Sequence, residues 1–285
     1  MEWYVFALLS ALLTAFIPII RKKVLMHEHA SEFTTTTYLV ISIFFLPLLP
    51  FLDLSMNGST FFLLVVKGLF LAVASLLFTK AARHMEISTV EPLRNLSIVF
   101  VLLSSFFFLG ESVSLQQGIG LLLIMSGAYF LEVHKSQVSY AIPDRRLVWF
   151  VLANLVLVSL MAVIDKVLIS RTDVYSILII PAWITVVIMF LYQSLKYRGF
   201  DDVIHAFKTG GISIVVIALL AIVSDFLYLR ALGVGAALVT VVIALRKTST
   251  LLSTIIGGEI FHDHNLLQKT LASLVMLAGV YVILF

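Results

Sequence analysis

The chain has 285 residues, 61% of them hydrophobic and only 12% charged, with a mean hydropathy of +1.11. Soluble domains carry roughly 45–50% apolar and about 25% charged residues; so few polar groups could not cover a soluble surface, which excludes a soluble globular protein and leaves the bilayer as solvent. A Cys count of 0 excludes disulfides and thiolate metal sites, and the net charge of +3 implies no nucleic-acid partner, because basic residues of membrane proteins sit in loops and set orientation.

A membrane span needs roughly 20 mostly apolar residues. Ten segments qualify: 3–22, 34–52, 60–82, 88–109, 113–133, 147–170, 174–197, 209–230, 234–257 and 264–285. Met1-Glu2-Trp3 lacks the basic start of a secretory leader, so the apolar run from Tyr4 to Ile20 reads as a first span. Connections are short and polar, as at His27-Glu28-His29, Asn57-Gly58 and Gly199 to Asp202. The longest runs from Glu132 to Arg146, contains Pro143, and divides the chain almost in half.

The two halves resemble one another. Gly110-Glu111 follows the fourth span and Gly258-Glu259 the ninth. Leu115-Gln116 matches Leu267-Gln268, Gly127-Ala128-Tyr129 matches Gly279-Val280-Tyr281, and Lys80-Ala81-Ala82 parallels Arg230-Ala231-Leu232. Five spans per half is an odd number, so the second copy enters the membrane from the opposite side. The expectation is an all-α membrane protein of ten helices in two inverted repeats, 1–134 and 147–285, joined by a connecting loop over 135–146. Inverted repeats are a recurring transporter architecture, with the substrate near the midplane between halves.

These anchors resemble the ten-helix, EamA-type branch of the drug/metabolite transporter superfamily. The resemblance rests on Leu109-Gly110-Glu111 followed by Gly118, Gly120 and Gly127, and on Gly257-Gly258-Glu259 followed by Gly279. The second copy lacks the Leu before Gly-Glu. The resemblance implies export or exchange of small metabolites through a central cavity, with both termini inside. The charges point the other way. Most Lys and Arg, from Arg21-Lys22-Lys23 through Arg145-Arg146 to Lys208, fall at the odd-numbered connections, which places those connections in the cytoplasm and the termini outside.

Arg246 and Lys247 lie near the centre of the ninth span, where a basic side chain costs on the order of 2.5–3.5 kcal/mol. They face either a cavity for an anionic or zwitterionic substrate, or an acidic partner in Asp225 or Asp165. Glu91-Pro92-Leu93-Arg94-Asn95 opens the fourth span; Glu91 and Arg94 share a helical face, and Pro92 reads as a residue of the helix start. Arg94 and Asn95 line the cavity or anchor the helix end. Asp225, Asp165 and Glu91 are the candidates for proton coupling or ion pairing. Trp183, Tyr38 and Asn154 offer an aromatic wall and hydrogen bonds, or join helices. Gly118, Gly120 and Gly127 read as close-packing sites.

His27-Glu28-His29 and His262-Asp263-His264 lack metalloenzyme spacing and read as solvated loops rather than metal ligands. Neither a nucleotide motif nor a catalytic constellation appears, so neither an enzyme nor a cofactor is expected. The partners are a small-molecule substrate and the lipid bilayer, in the cell membrane. The rival readings are an exporter of lipophilic amines built on Asp225 and Trp183, and a membrane scaffold without transport.

Overall fold

The computed structural model describes residues 3–52, 55–109, 114–133, 145–196, 199–234 and 239–284, and every regular element among them is helical. In chain order these are α1 (Trp3–Leu25), α2 (Ala30–Phe45) with a 3-10 turn over Leu46–Phe51, and α3 (Gly58–His84). Next come α4 (Ile87–Leu93), a 3-10 turn over Arg94–Leu96, α5 (Ser97–Leu109) and α6 (Leu115–Val133). The second half holds α7 (Arg145–Ile169), α8 (Val174–Lys196), α9 (Phe200–Gly233), α10 (Val239–Arg246), α11 (Ser249–Ile260) and α12 (Leu266–Leu284). Gly110, Glu111 and 134–144, most of the connecting loop, lie outside the described residues.

Among the described residues, seven helical segments are long and apolar enough to cross a membrane: Trp3–Leu25, Ala30–Phe51, Gly58–His84, Ile87–Phe108, Arg146–Ile169, Val174–Lys196 and Phe200–Gly233. The chain is an integral, multi-pass membrane protein. Its burial pattern is that of a bundle solvated by lipid. Phe107, Leu122 and Ile212 point outward, while Ser10, Thr35, Asn95, Thr185 and Ser224 are buried. Such polar side chains hydrogen-bond to neighbouring helices, as Thr185 does to the Gly68 carbonyl at 3.1 Å and Asn154 to the Ala74 carbonyl at 2.8 Å.

Three of the expected spans take a different form. The eighth is preceded by a helical segment over 200–210, separated from it by Gly211, whose φ of +43° breaks the helix path. The fourth is interrupted at Arg94–Leu96. Pro92 stands beyond the first turn of α4 rather than at its start, and its ring crowds the preceding turn, so the helix tightens into 3-10 just after it. The ninth is split at Lys247-Thr248. There the hydroxyls of Thr248, Ser249 and Thr250 each bond the carbonyl three residues back, all at 2.8 Å, and Thr248 and Thr250 backbone N–H groups take the same three-residue step. Consecutive hydroxyl residues compete with the helix for its own carbonyls. The apolar pattern runs straight through; the breaks come from single residues.

Helix α1 packs along α9, α3 along α7 and α8, α4 against α11, and α6 against α12. Lys22, expected in a connection, lies in α1 and donates to the Ala82, Arg83 and Met85 carbonyls at 2.8, 3.1 and 2.7 Å, capping the end of α3. The matched glycines meet at α6–α12. A Cβ on Gly127 would stand 2.5 Å from Met276 Cγ, and one on Gly279 would stand 2.6 Å from the Gly120 carbonyl oxygen. Gly118 has open space around it, so close packing accounts for Gly127 and Gly279 but not for Gly118.

Candidate functional site

The two helix breaks lie side by side. The Thr250 hydroxyl, in the first turn of α11, stands 3.0 Å from Asn95 Oδ1 and shares its one proton between that oxygen and the Lys247 carbonyl, joining the 3-10 turn after α4 to the start of α11. Asn95 is fully buried, and its Nδ2 finds no acceptor among the described residues. Here the chain gathers cations. Arg94 reaches Glu91 at 3.0 Å and lies over the Phe78 ring at 4.9 Å, while Arg21 of α1 lies over the same ring at 5.2 Å. Lys247 is 8% exposed and close enough to feel the charges of Arg94, Glu91 and Arg246. Arg94 pairs with Glu91, and Arg21 and Lys247 lie within range of the same carboxylate's charge; one of its oxygens accepts no hydrogen bond among the described residues.

Arg246 and Lys247, adjacent in sequence, go to different places. Arg246 pairs with Asp225 at 2.5 Å, reaches Ser224 Oγ at 3.2 Å and Thr14 Oγ1 at 3.4 Å, and covers the Tyr228 ring at 5.0 Å. Its charge is therefore met by an acid. The second acid offered by the sequence, Asp165, takes another partner. It pairs with Lys67 of α3 at 2.5 Å, and Lys67 also donates to the Ile177 carbonyl at 3.1 Å. Tyr228, whose ring Arg246 covers, lies close enough to feel the charges of both Asp165 and Asp225, so the two ion pairs are neighbours. For Lys247 no acidic partner lies within ion-pair distance among the described residues.

Tyr38 lies within the fields of Arg21 and Asp225, so it borders both clusters. Trp183 does not join them. It lines an apolar groove of about 320 Å³ with Leu39, Ile43, Leu46, Val187 and Phe190, where no charged side chain is present. The paired His motifs separate too. His29 contacts Arg83 at 2.6 Å, and His264 contacts Glu86 at 3.0 Å. Asp263 accepts from the Ser88 backbone N–H and hydroxyl at 2.8 and 2.6 Å, closing the start of α4. Glu86 also pairs with Lys269. Burial raises its pKa, but the hydrogen bonds from Lys269 and His264 outweigh that and hold it below the usual 4.5.

Sequence reasoning missed Lys67 and Arg21. Arg21 reads as part of the Arg-Lys-Lys connection, yet α1 continues through it to Leu25 and turns it inward. The available signal for Lys67 was its place inside the apolar run of α3, the same signal that singled out Arg246 and Lys247.

Fold and site together define a multi-pass helical membrane protein with charge buried at two adjoining helix breaks. Residues 1–133 match the EamA-like transporter family, the family the sequence motifs resemble. A Sinorhizobium sp. protein, "Uncharacterized transporter in cobO 3'region", is 34% identical over 76 residues, which are 27% of this chain and 54% of that protein; the chain thus spans about half the length of this curated relative. A crystal structure of a protein 15% identical superposes with a TM-score of 0.70, covering 98% of this chain and 95% of that one, a likeness of fold alone.

Proposed function

We propose that the chain is a secondary transporter, an exporter or exchanger, that carries a small anionic or zwitterionic metabolite across the cell membrane by alternating access. On this reading ten spans form two inverted repeats, 1–134 and 147–285. The seven long helices are completed by α6, by α12 and by α10 with α11 as one broken span. The halves rock around the place where the fourth and ninth spans are interrupted. Broken helices facing each other at membrane depth are the usual setting of a transporter site, because irregular backbone is tolerated there only against protein or a wet cavity.

One observation carries the reading: Lys247 is buried beside the Arg94–Glu91 pair with no acid of its own within ion-pair distance among the described residues. Each buried cation costs on the order of 2.5–3.5 kcal/mol, and a carboxylate or phosphate group entering with the substrate would supply the missing counter-charge. Asn95, with a free amide donor, would orient it. Asp165 and Asp225 are the groups for proton coupling, each already held against a base that a proton could displace. A site for lipophilic amines on Asp225 and Trp183 draws no support, since Arg246 neutralises the first and the second faces an apolar groove.

Counterflow in proteoliposomes against a panel of amino acids and organic anions tests this. Lys247→Gln should lower flux at least tenfold with membrane abundance and melting temperature near those of the parent. Arg246→Gln should cost abundance as well, because it strands Asp225. Equal loss of flux and abundance in Lys247→Gln would leave Lys247 a purely structural residue and remove the reading's main support.

A further inference from the structure

Away from the helix breaks, a second cluster lies where α1 turns into α2. Glu28 stands in that turn, Glu32 in the first turn of α2, and His205 in the segment of α9 ahead of Gly211. One donor atom from each lies within 4.8 Å of the others. Glu28 is 1% exposed, and neither of its carboxylate oxygens accepts a hydrogen bond among the described residues. His205 Nδ1 stands 3.4 Å from Glu28 Oε1, and the rest of its ring is exposed. Asp202 adds a further negative field at Glu32 while accepting a hydrogen bond from Gln193 at 2.7 Å. Lys and Arg take no part in any ion pair with Glu28 or Glu32 among the described residues.

A buried carboxylate without donors is costly, and it persists when something absent from the protein's own side chains completes it. We propose that Glu28, Glu32 and His205 form a binding site for a divalent transition-metal ion of the zinc type. Two carboxylates and one imidazole are a donor set that such ions accept, at bond lengths of about 2.0–2.2 Å. Ligand atoms around one ion then stand about 3–4 Å apart, so shifts of under ~1 Å close the present cluster onto a metal. Glu28 supplies the buried anchor and the exposed His205 ring the side from which an ion enters, with water filling the remaining position. The site ties the segment of α9 before Gly211 to the corner between α1 and α2. It departs from the sequence reading, which took His27-Glu28-His29 as a solvated loop rather than a metal ligand; the structure buries Glu28 and brings His205 to it from another element.

The test uses the full chain in detergent, without a polyhistidine tag, stripped with a chelator and titrated with zinc. Saturable binding of one equivalent, with a rise in melting temperature, is expected. Glu28→Gln and His205→Ala should each weaken it at least tenfold, and His27→Ala, exposed and outside the cluster, should leave it unchanged. His205→Ala alters an exposed ring, so it reports on binding even if Glu28→Gln fails to fold. Absence of saturable binding, or binding indifferent to His205→Ala, would overturn the proposal. A rise in stability of metal-free Glu28→Gln without any zinc response would do the same and identify a proton shared between Glu28 and Glu32.

Discussion

Replacing Lys67 with methionine should be among the most damaging single changes in the bundle. The Lys67 and Asp165 side chains are 10% and 8% exposed, so little water can compensate a charge left alone. Removing one partner of such a pair costs about 3–5 kcal/mol, and the lost bond to Ile177 acts in the same direction. At about 1.4 kcal/mol per factor of ten, the folding equilibrium shifts roughly a hundred- to several-thousand-fold. Exchanging both partners for apolar residues, as in Lys67→Met with Asp165→Leu, strands no charge and should return stability to within about 1 kcal/mol of the parent. Denaturation by SDS in mixed micelles, followed through the fluorescence of Trp3, Trp149 and Trp183, measures both variants. A single variant as stable as the parent, or a double variant no better than the single, would refute the assignment of this pair as buried and mutually dependent. The stable double variant would also lose any dependence of flux on a proton gradient if Asp165 carries the coupling proton.

Gly279→Ala should destabilise by about 1–3 kcal/mol, because its new methyl meets the Gly120 carbonyl at 2.6 Å, whereas Gly118→Ala, in open space, should be neutral or gain up to about 1 kcal/mol; melting temperatures compare them. Gly211→Ala should cost roughly 1–2 kcal/mol by the same measurement, since an L side chain disfavours φ of +43°. The pKa of Glu86 is lowered in the folded protein, so the stability it contributes is fully present above its ordinary 4.5 and is lost as pH falls through the lowered value. A melting-temperature profile between neutral and acid pH should therefore lose part of its acid slope in Glu86→Gln; an unchanged slope would show that the contact with Lys269 and His264 does not persist in solution.

The apolar runs were readable because lipid imposes length and composition on each span, and the recurrence of Gly127 and Gly279 was readable because close packing tolerates nothing larger. The charges at 246 and 247 were readable for the same energetic reason. Their partners were not: one residue of helical rotation sends Arg246 toward Asp225 and leaves Lys247 near Arg94, and which helices stand on those two sides is not written in the local sequence. Asp165 was read as a possible partner for the ninth span, but the packing of α3 on α7 brings Lys67 to it first. Pairings between residues about a hundred positions apart are decided by helix neighbours, which a single sequence does not reveal. The helix breaks escaped notice because hydroxyl side chains and Pro92 act on backbone hydrogen bonds without altering the hydropathy pattern.

At Gly279 the α12 backbone lies against the Gly120 carbonyl and Ile124 of α6, and Met276 fills the space opposite Gly127. Neither helix can slide or gain bulk there unless its neighbour retreats in step. Substitutions at these two glycines should accordingly be tolerated only in compensated combinations, and a rearrangement of the molecule that parted these helices would have to break their tightest contact.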